Sequence, residues 1–177
     1  MRPHDSALID ALEGRATEVF LGDVWRVTRA GRDALMGSTA PGRWSPGDDR
    51  PVLYTSLERD GALAEIGFRL SLEPVWPSRL MHEIHRVEAQ TNRTLRFADV
   101  AALVPLGVDP VRWQGFDYDS TRAIAAVAHF LEFDGLIVPS ARAACANLVV
   151  FLGNLSTDIG LSVRLTETVD WSSWRKR

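Results

Sequence analysis

The apolar residues of this chain come in short runs, and the run lengths bound its architecture before anything else does. The longest are Ala123–Ala128 and Leu148–Leu152. Both fall far below the roughly 20 residues a helix needs to cross a bilayer, so no membrane span is expected. Met1 to Arg15 mixes charges with brief apolar stretches and lacks the continuous apolar segment of a secretory signal. Several runs read as strands. Asp23–Thr28 alternates, with Trp25 and Val27 on one face and Val24, Arg26 and Thr28 on the other. Pro51–Ser56, Leu80–Ala89, Leu136–Val138, Asn147–Leu152 and Ser162–Thr168 are also β-prone, and Thr91–Asn92 reads as a turn. Three stretches carry helical spacing. Asp5–Glu13 is one. A second runs from a Ser56 cap to about Leu70, with Ala62, Leu63, Ile66 and Leu70 as its stripe. The third runs from Asp119 or Ser120 to about Phe133, burying Ala123, Ile124, Val127, Ala128 and Leu131 and stopping at Gly135. Phe97–Leu106 fits a further short helix. Strands and helices do not alternate regularly, which favours an α+β arrangement over a doubly wound sheet. At 177 residues, one domain is expected.

Several chemistries are disfavoured by residue content. The formal net charge is −3, from 20 basic and 23 acidic residues. That argues against direct nucleic-acid binding by surface charge. Cys145 is the single cysteine, so the chain has no internal disulfide and no cysteine-cluster zinc site, in keeping with a cytoplasmic protein. His82-Glu83-Ile84-His85 is one residue short of the zinc-protease HExxH spacing. On a strand the two histidines face opposite sides and cannot chelate together, so they read as strand-surface residues and no metal is expected. His129 lies on a helix and reads as packed or partly exposed rather than catalytic. No GxxxxGK[ST] phosphate loop is present.

What remains is a spaced set of polar residues in apolar surroundings. The stretch 31–50 is rich in Gly, Pro, Ser and Asp and is long for a connection, as functional loops tend to be. It carries Arg43 and Trp44 between glycines. Arg26 lies within a strand, Tyr54 near the end of the next, Glu65 inside a helical stripe, Ser140 at a strand end and Asn147 at a strand start. Each has an ordinary reading. Glu65, for instance, fits an i,i+4 partner for Arg69, worth a few tenths of a kcal/mol. Taken together, two arginines, a phenol, a helix carboxylate and a strand-end serine suit a bound anionic nucleotide.

In order along the chain, Val24-Trp25-Arg26-Val27, Gly42-Arg43-Trp44, Leu53-Tyr54-Thr55-Ser56, Ala62-Leu63-Ala64-Glu65, Gly135-Leu136-Ile137-Val138-Pro139-Ser140-Ala141-Arg142 and Asn147-Leu148-Val149-Val150-Phe151 resemble the RES domain. The family is named for an arginine, a glutamate and a serine. Ser45 departs from it, standing where the family usually has Asn. The resemblance implies a single RES-type domain over 1–177: a core at about 24–151, an N-terminal helical extension over 1–22 and a C-terminal strand and tail over 152–177. It implies an ADP-ribosyltransferase-like fold of mixed or antiparallel sheets with flanking helices. It also implies a toxin of a toxin–antitoxin pair that consumes NAD as substrate, by phosphorolysis or hydrolysis, or that transfers ADP-ribose to a protein. On this reading Glu65, Arg43 and Tyr54 are catalytic, and Arg26, Ser140, Asn147 and Trp44 bind substrate. Arg43 and Arg26 hold pyrophosphate or inorganic phosphate, Tyr54 stacks on nicotinamide or ribose, and Ser140 bonds the ligand. No cofactor or metal is implied. The implied partner is an Xre-type antitoxin occluding the site. Trp44 is the foremost interface candidate among the tryptophans, and assembly as a homo-oligomer or with the antitoxin is compatible. A nucleotide-binding module without turnover and a pure interaction protein anchored by the six tryptophans are the rival readings.

Overall fold

The computed structural model describes residues 5–156 and 160–176. The N-terminal helix α1 (Ser6–Glu13) starts where the Asp5 carboxylate accepts the Ala7 N–H at 2.9 Å. Strand β1 (Glu18–Arg29) follows, then the 31–50 loop, β2 (Val52–Ser56), helix α2 (Arg59–Ser71) and the long strand β3 (His82–Arg96). Two short 3-10 turns lead to helix α3 (Asp119–Phe130), β4 (Gly135–Pro139), β5 (Ala146–Phe151), β6 (Leu161–Thr168) and the one-turn helix α4 (Trp171–Trp174). The fold is α+β. Among the described residues no helix is long and apolar enough to cross a membrane.

The strand pairings close on themselves. β1 pairs antiparallel with β3, β3 parallel with β4, β4 antiparallel with β5, β5 antiparallel with β2, and β2 returns to β1 at Trp25↔Ser56. One edge of β3 is filled by β1. Its other edge is shared in series by β6, along Glu83–Ala89, and by β4, at Thr94–Arg96. The period of two then sorts the side chains. Val24, Leu53, Val87, Ile137, Leu148 and Val150 form one cluster within the ring of strands. Their neighbours Val52, Leu136, Val138 and Val149 face α1 and α3 in a second cluster. A third cluster, with Val27 and Ile84, lies under α2 and α4.

The structure corrects several sequence expectations. Thr91–Asn92 is not a turn but part of β3. Buried Asp134 accepts both the Asn92 and Arg93 N–H groups, at 2.5 and 3.1 Å, which holds this stretch against the start of β4. Ser56 is the last residue of β2, and its hydroxyl accepts the Glu58 N–H before α2 begins. Helix α3 stops at Phe130, with Glu132 in the left-handed region. Gly135 opens β4 instead of closing the helix, because a Cβ there would meet the Val149 carbonyl oxygen at 2.3 Å. Ala125, not Ala123, faces the core. His82 and His85 are not surface residues but are 5% and 4% exposed. His82 Nδ1 accepts the Trp171 indole N–H, and the His85 ring lies between Thr28 and Thr166.

Candidate active site

Three of the sequence candidates, from three separate elements, meet at one atom. Glu65 stands on α2, Ser140 follows β4 and Asn147 lies in β5. The Ser140 hydroxyl donates to Glu65 Oε1 at 2.7 Å, and Asn147 Nδ2 donates to the same oxygen at 3.1 Å. The Ser140 oxygen also accepts the Arg142 and Ala143 N–H groups. A hydroxyl has one proton, so that of Ser140 is committed to Glu65. The Ser140 hydroxyl thereby aims the carboxylate. The i,i+4 reading of Glu65 is replaced, since its bonds run to β5 and the end of β4 and not to Arg69.

Glu65 and Asn147 line a cavity of about 370 Å³. The Asn147 Oδ1 atom is buried without a hydrogen-bond partner. Arg43 lines the same cavity, its guanidinium between the Trp113 ring (4.5 Å) and the Tyr118 ring (4.6 Å), with one bond to the Gly115 carbonyl at 3.2 Å. Burial pulls its pKa below the usual arginine value, and nearby Arg142 adds to that, while Tyr118 and Glu65 oppose it. The site is thus a carboxylate and a guanidinium held in one partly desolvated space, where their fields on a ligand are strong.

The remaining candidates act mainly on the walls. Arg26 donates to the Tyr54 and Met36 carbonyls at 3.0 and 3.1 Å. It thereby stitches the seam between β1 and β2, where Trp25↔Ser56 is the recorded register. Arg26 also lines the cavity, and its Nε is buried without a hydrogen-bond partner. Tyr54 lines the cavity and its hydroxyl accepts the Trp44 N–H at 3.3 Å; burial raises its pKa to about 12. Trp44 also lines the cavity but is 3% exposed, against Trp113 in the core. That overturns Trp44 as an interface anchor. Buried Ser45 closes the loop, pairing its backbone with Gly42 and accepting the Gly47 N–H on its side chain. Arg122 of α3 clamps the same turn through the Gly42 carbonyl at 2.9 Å.

Sequence reasoning missed the cavity rim: Phe68, Phe116, Tyr118 and Arg142. The Arg142 guanidinium lies 3.5 Å from the Phe68 ring centre and donates to the Gln114 carbonyl at 2.8 Å. The available signal was the pair of aromatics at 116 and 118, just ahead of helix α3. Among the described residues no group of three or more His, Cys, Asp or Glu side chains is placed to hold a metal ion.

The family model of the RES domain matches residues 23–171. The chain belongs to the RES domain family. Among curated proteins, this RES protein is 24% identical over 143 residues to the NAD(+) phosphorylase MbcT of Mycobacterium tuberculosis (strain ATCC 25618 / H37Rv), covering 77% of each chain. It is 34% identical over 113 residues to the probable NAD(+) phosphorylase Rv3189 of the same organism, covering 63% of this chain and 54% of the other. Among solved structures, its fold matches the crystal structure of the M. tuberculosis MbcT–MbcA toxin–antitoxin complex with a TM-score of 0.83, at 22% identity over 97% of both chains.

Proposed function

We propose that this RES protein is a toxin that cleaves the nicotinamide–ribose bond of NAD, with inorganic phosphate as the favoured acceptor. The observation that carries the reading is the Glu65 carboxylate, aimed by Ser140 and Asn147 into a cavity that also holds Arg43. In this reaction the C1′–N bond of the nicotinamide riboside breaks. Its electron pair goes to the pyridinium nitrogen, which leaves as neutral nicotinamide. A phosphate oxygen supplies the pair for the new C1′–O bond, giving an ADP-ribose 1″-phosphate. With water as acceptor, a proton is released and ADP-ribose forms.

The transition state is oxocarbenium-like, with positive charge spread over the ribose. A fixed carboxylate beside it stabilises that charge and accepts a ribose hydroxyl. With one oxygen of Glu65 held by two donors, the other serves the ribose. Asn147 Oδ1, buried and unpartnered, is an acceptor for a second hydroxyl. Arg43 offers a planar fork to phosphate oxygens, stiffened by the two rings that flank it. Tyr54 and Trp44 shape the apolar wall. The relatives named NAD(+) phosphorylase support phosphate over water. Transfer of ADP-ribose to a protein is the second outcome that the same chemistry allows. No metal enters the scheme.

The single RES-type domain with its core at about 24–151, a cytoplasmic location and an Xre-type antitoxin that covers the cavity mouth belong to the same proposal. The structural neighbour, a toxin–antitoxin complex, supports a protein partner. Product analysis tests the reading. Nicotinamide together with ADP-ribose 1″-phosphate is expected when phosphate is supplied, with no loss in a metal chelator. Complete dependence on a divalent ion, or free ADP-ribose alone in abundant phosphate, contradicts it.

A further inference from the structure

We propose that the groove on the far side of Phe68 and Arg142 is the subsite for the adenylate half of the dinucleotide; this rests on the NAD reading above. The first cavity, about 370 Å³, lies at the small end of ligand pockets. It has room for the reacting half of a dinucleotide, and the rest must lie in a neighbouring space. Two neighbours share a wall with it. One, about 190 Å³, adjoins across Arg43 and is lined by Asp109 and Asp117, whose carboxylates pair with Arg112 at 3.6 and 3.3 Å. Its two acids are offset by Arg112 and Arg43, so its small size, not its charge, disfavours it for a nucleoside. The other, about 730 Å³, shares Phe68 and Arg142 with the first cavity.

The larger groove has the chemistry that a purine nucleotide requires. Trp76 and Trp174 line it, and Arg175 stacks 4.4 Å from the Trp76 ring centre. Indole faces are sequence-tolerant platforms for a base. The floor is a small-residue face of α2. A Cβ on Gly67 would come within 2.3 Å of Trp174 Cη2, so the glycine lets that indole settle against the helix. Arg142 stands at the junction of the two spaces. The pyrophosphate joining the two nucleosides crosses there, facing a planar cationic fork whose hydrogen bond to the Gln114 carbonyl fixes its reach. The substrate then lies across the Phe68–Arg142 stack, with nicotinamide at Glu65 and adenine at the tryptophans.

The test combines steady-state nicotinamide release from NAD with calorimetric titration of AMP, on wild type, Trp174→Ala and Arg175→Glu. Arg175 is exposed, so its replacement keeps the test intact should loss of the indole unfold the chain. The expected result is a KM for NAD raised about tenfold, the scale of one lost base stack, with kcat within about twofold, and AMP affinity weakened by the same factor. Wild-type KM and AMP affinity in both variants overturn the subsite, as does a loss confined to kcat, and as does the absence of AMP binding to wild type. AMP binding that weakens in the variants while wild type releases no nicotinamide sustains the groove and overturns the NAD reading instead.

Discussion

The chemistry of this site is set by how few of its polar atoms are free. Ser140 has spent its proton and both lone-pair sites within the protein, so it acts through Glu65. Ser140→Ala leaves the carboxylate with one donor, Asn147. We expect kcat to fall about tenfold, the worth of one charge-assisted hydrogen bond, with KM little changed; a steady-state series on NAD reads this, and an unchanged kcat contradicts the aiming role. Arg43 differs in kind, since its plane lies between two rings. Arg43→Lys keeps the charge and loses both the fork and the stacking face. The expected outcome is a KM for NAD or phosphate raised roughly tenfold; equal kinetics reduce Arg43 to a plain loop charge. Glu65, Ser140 and Asn147 were legible in the sequence because each stands at a marked position: a charge in an apolar helical stripe, a strand end and a strand start. The rim was not legible. Arg142, Phe68 and Phe116 are about 26 to 74 positions apart in the chain, and only the tertiary fold stacks them.

At the scale of elements, local sequence was enough for β4 and β5, apolar runs buried on both faces, and for β6, an alternating and largely exposed strand. Strands β4, β5 and β6 lie where alternation and apolar runs placed them. It failed where a distant group decides. Thr91–Asn92 has the residue types of a turn, yet the Asp134 carboxylate, some forty positions on, holds the backbone there in strand β3. Helix α4 is one turn long and carries too little sequence to show a period. The loop at 31–50 is likewise fixed from outside itself, by Arg26 on Met36 and Arg122 on Gly42. Arg26→Ala removes two charged hydrogen bonds to carbonyls and is expected to cost about 2–3 kcal/mol. Urea unfolding reads the loss. Hydrogen exchange should quicken through 31–50 and β2 first, and uniform exchange across the chain contradicts the stitch.

For the whole molecule, three histidines tie stability to pH. His82, His85 and His129 all have pKa values lowered chiefly by burial. Their unfolded forms bind protons more readily than their folded forms, so stability is full above the unfolded histidine value and falls as pH drops through it. Carboxylates lowered by their partners, Glu18 by Arg96 and Asp48 by Arg50, extend the loss at more acid pH. A melting temperature that declines from about pH 7.5 to about 5.5 is expected, less steeply in His85→Gln; a flat profile contradicts it. His85 sits between β1 and β6, so this acid sensitivity concerns the sheet, not the cavity. The proposed cleavage of NAD belongs to the cavity, where Ser140 after β4 and Asn147 of β5 aim the Glu65 carboxylate. Its most direct test is the rate of nicotinamide release by wild type and Glu65→Gln, side by side in phosphate. Release by wild type and a loss of roughly a hundredfold or more in the variant, with nearly the same melting temperature, is the expected result. Release at equal rates from both proteins contradicts it.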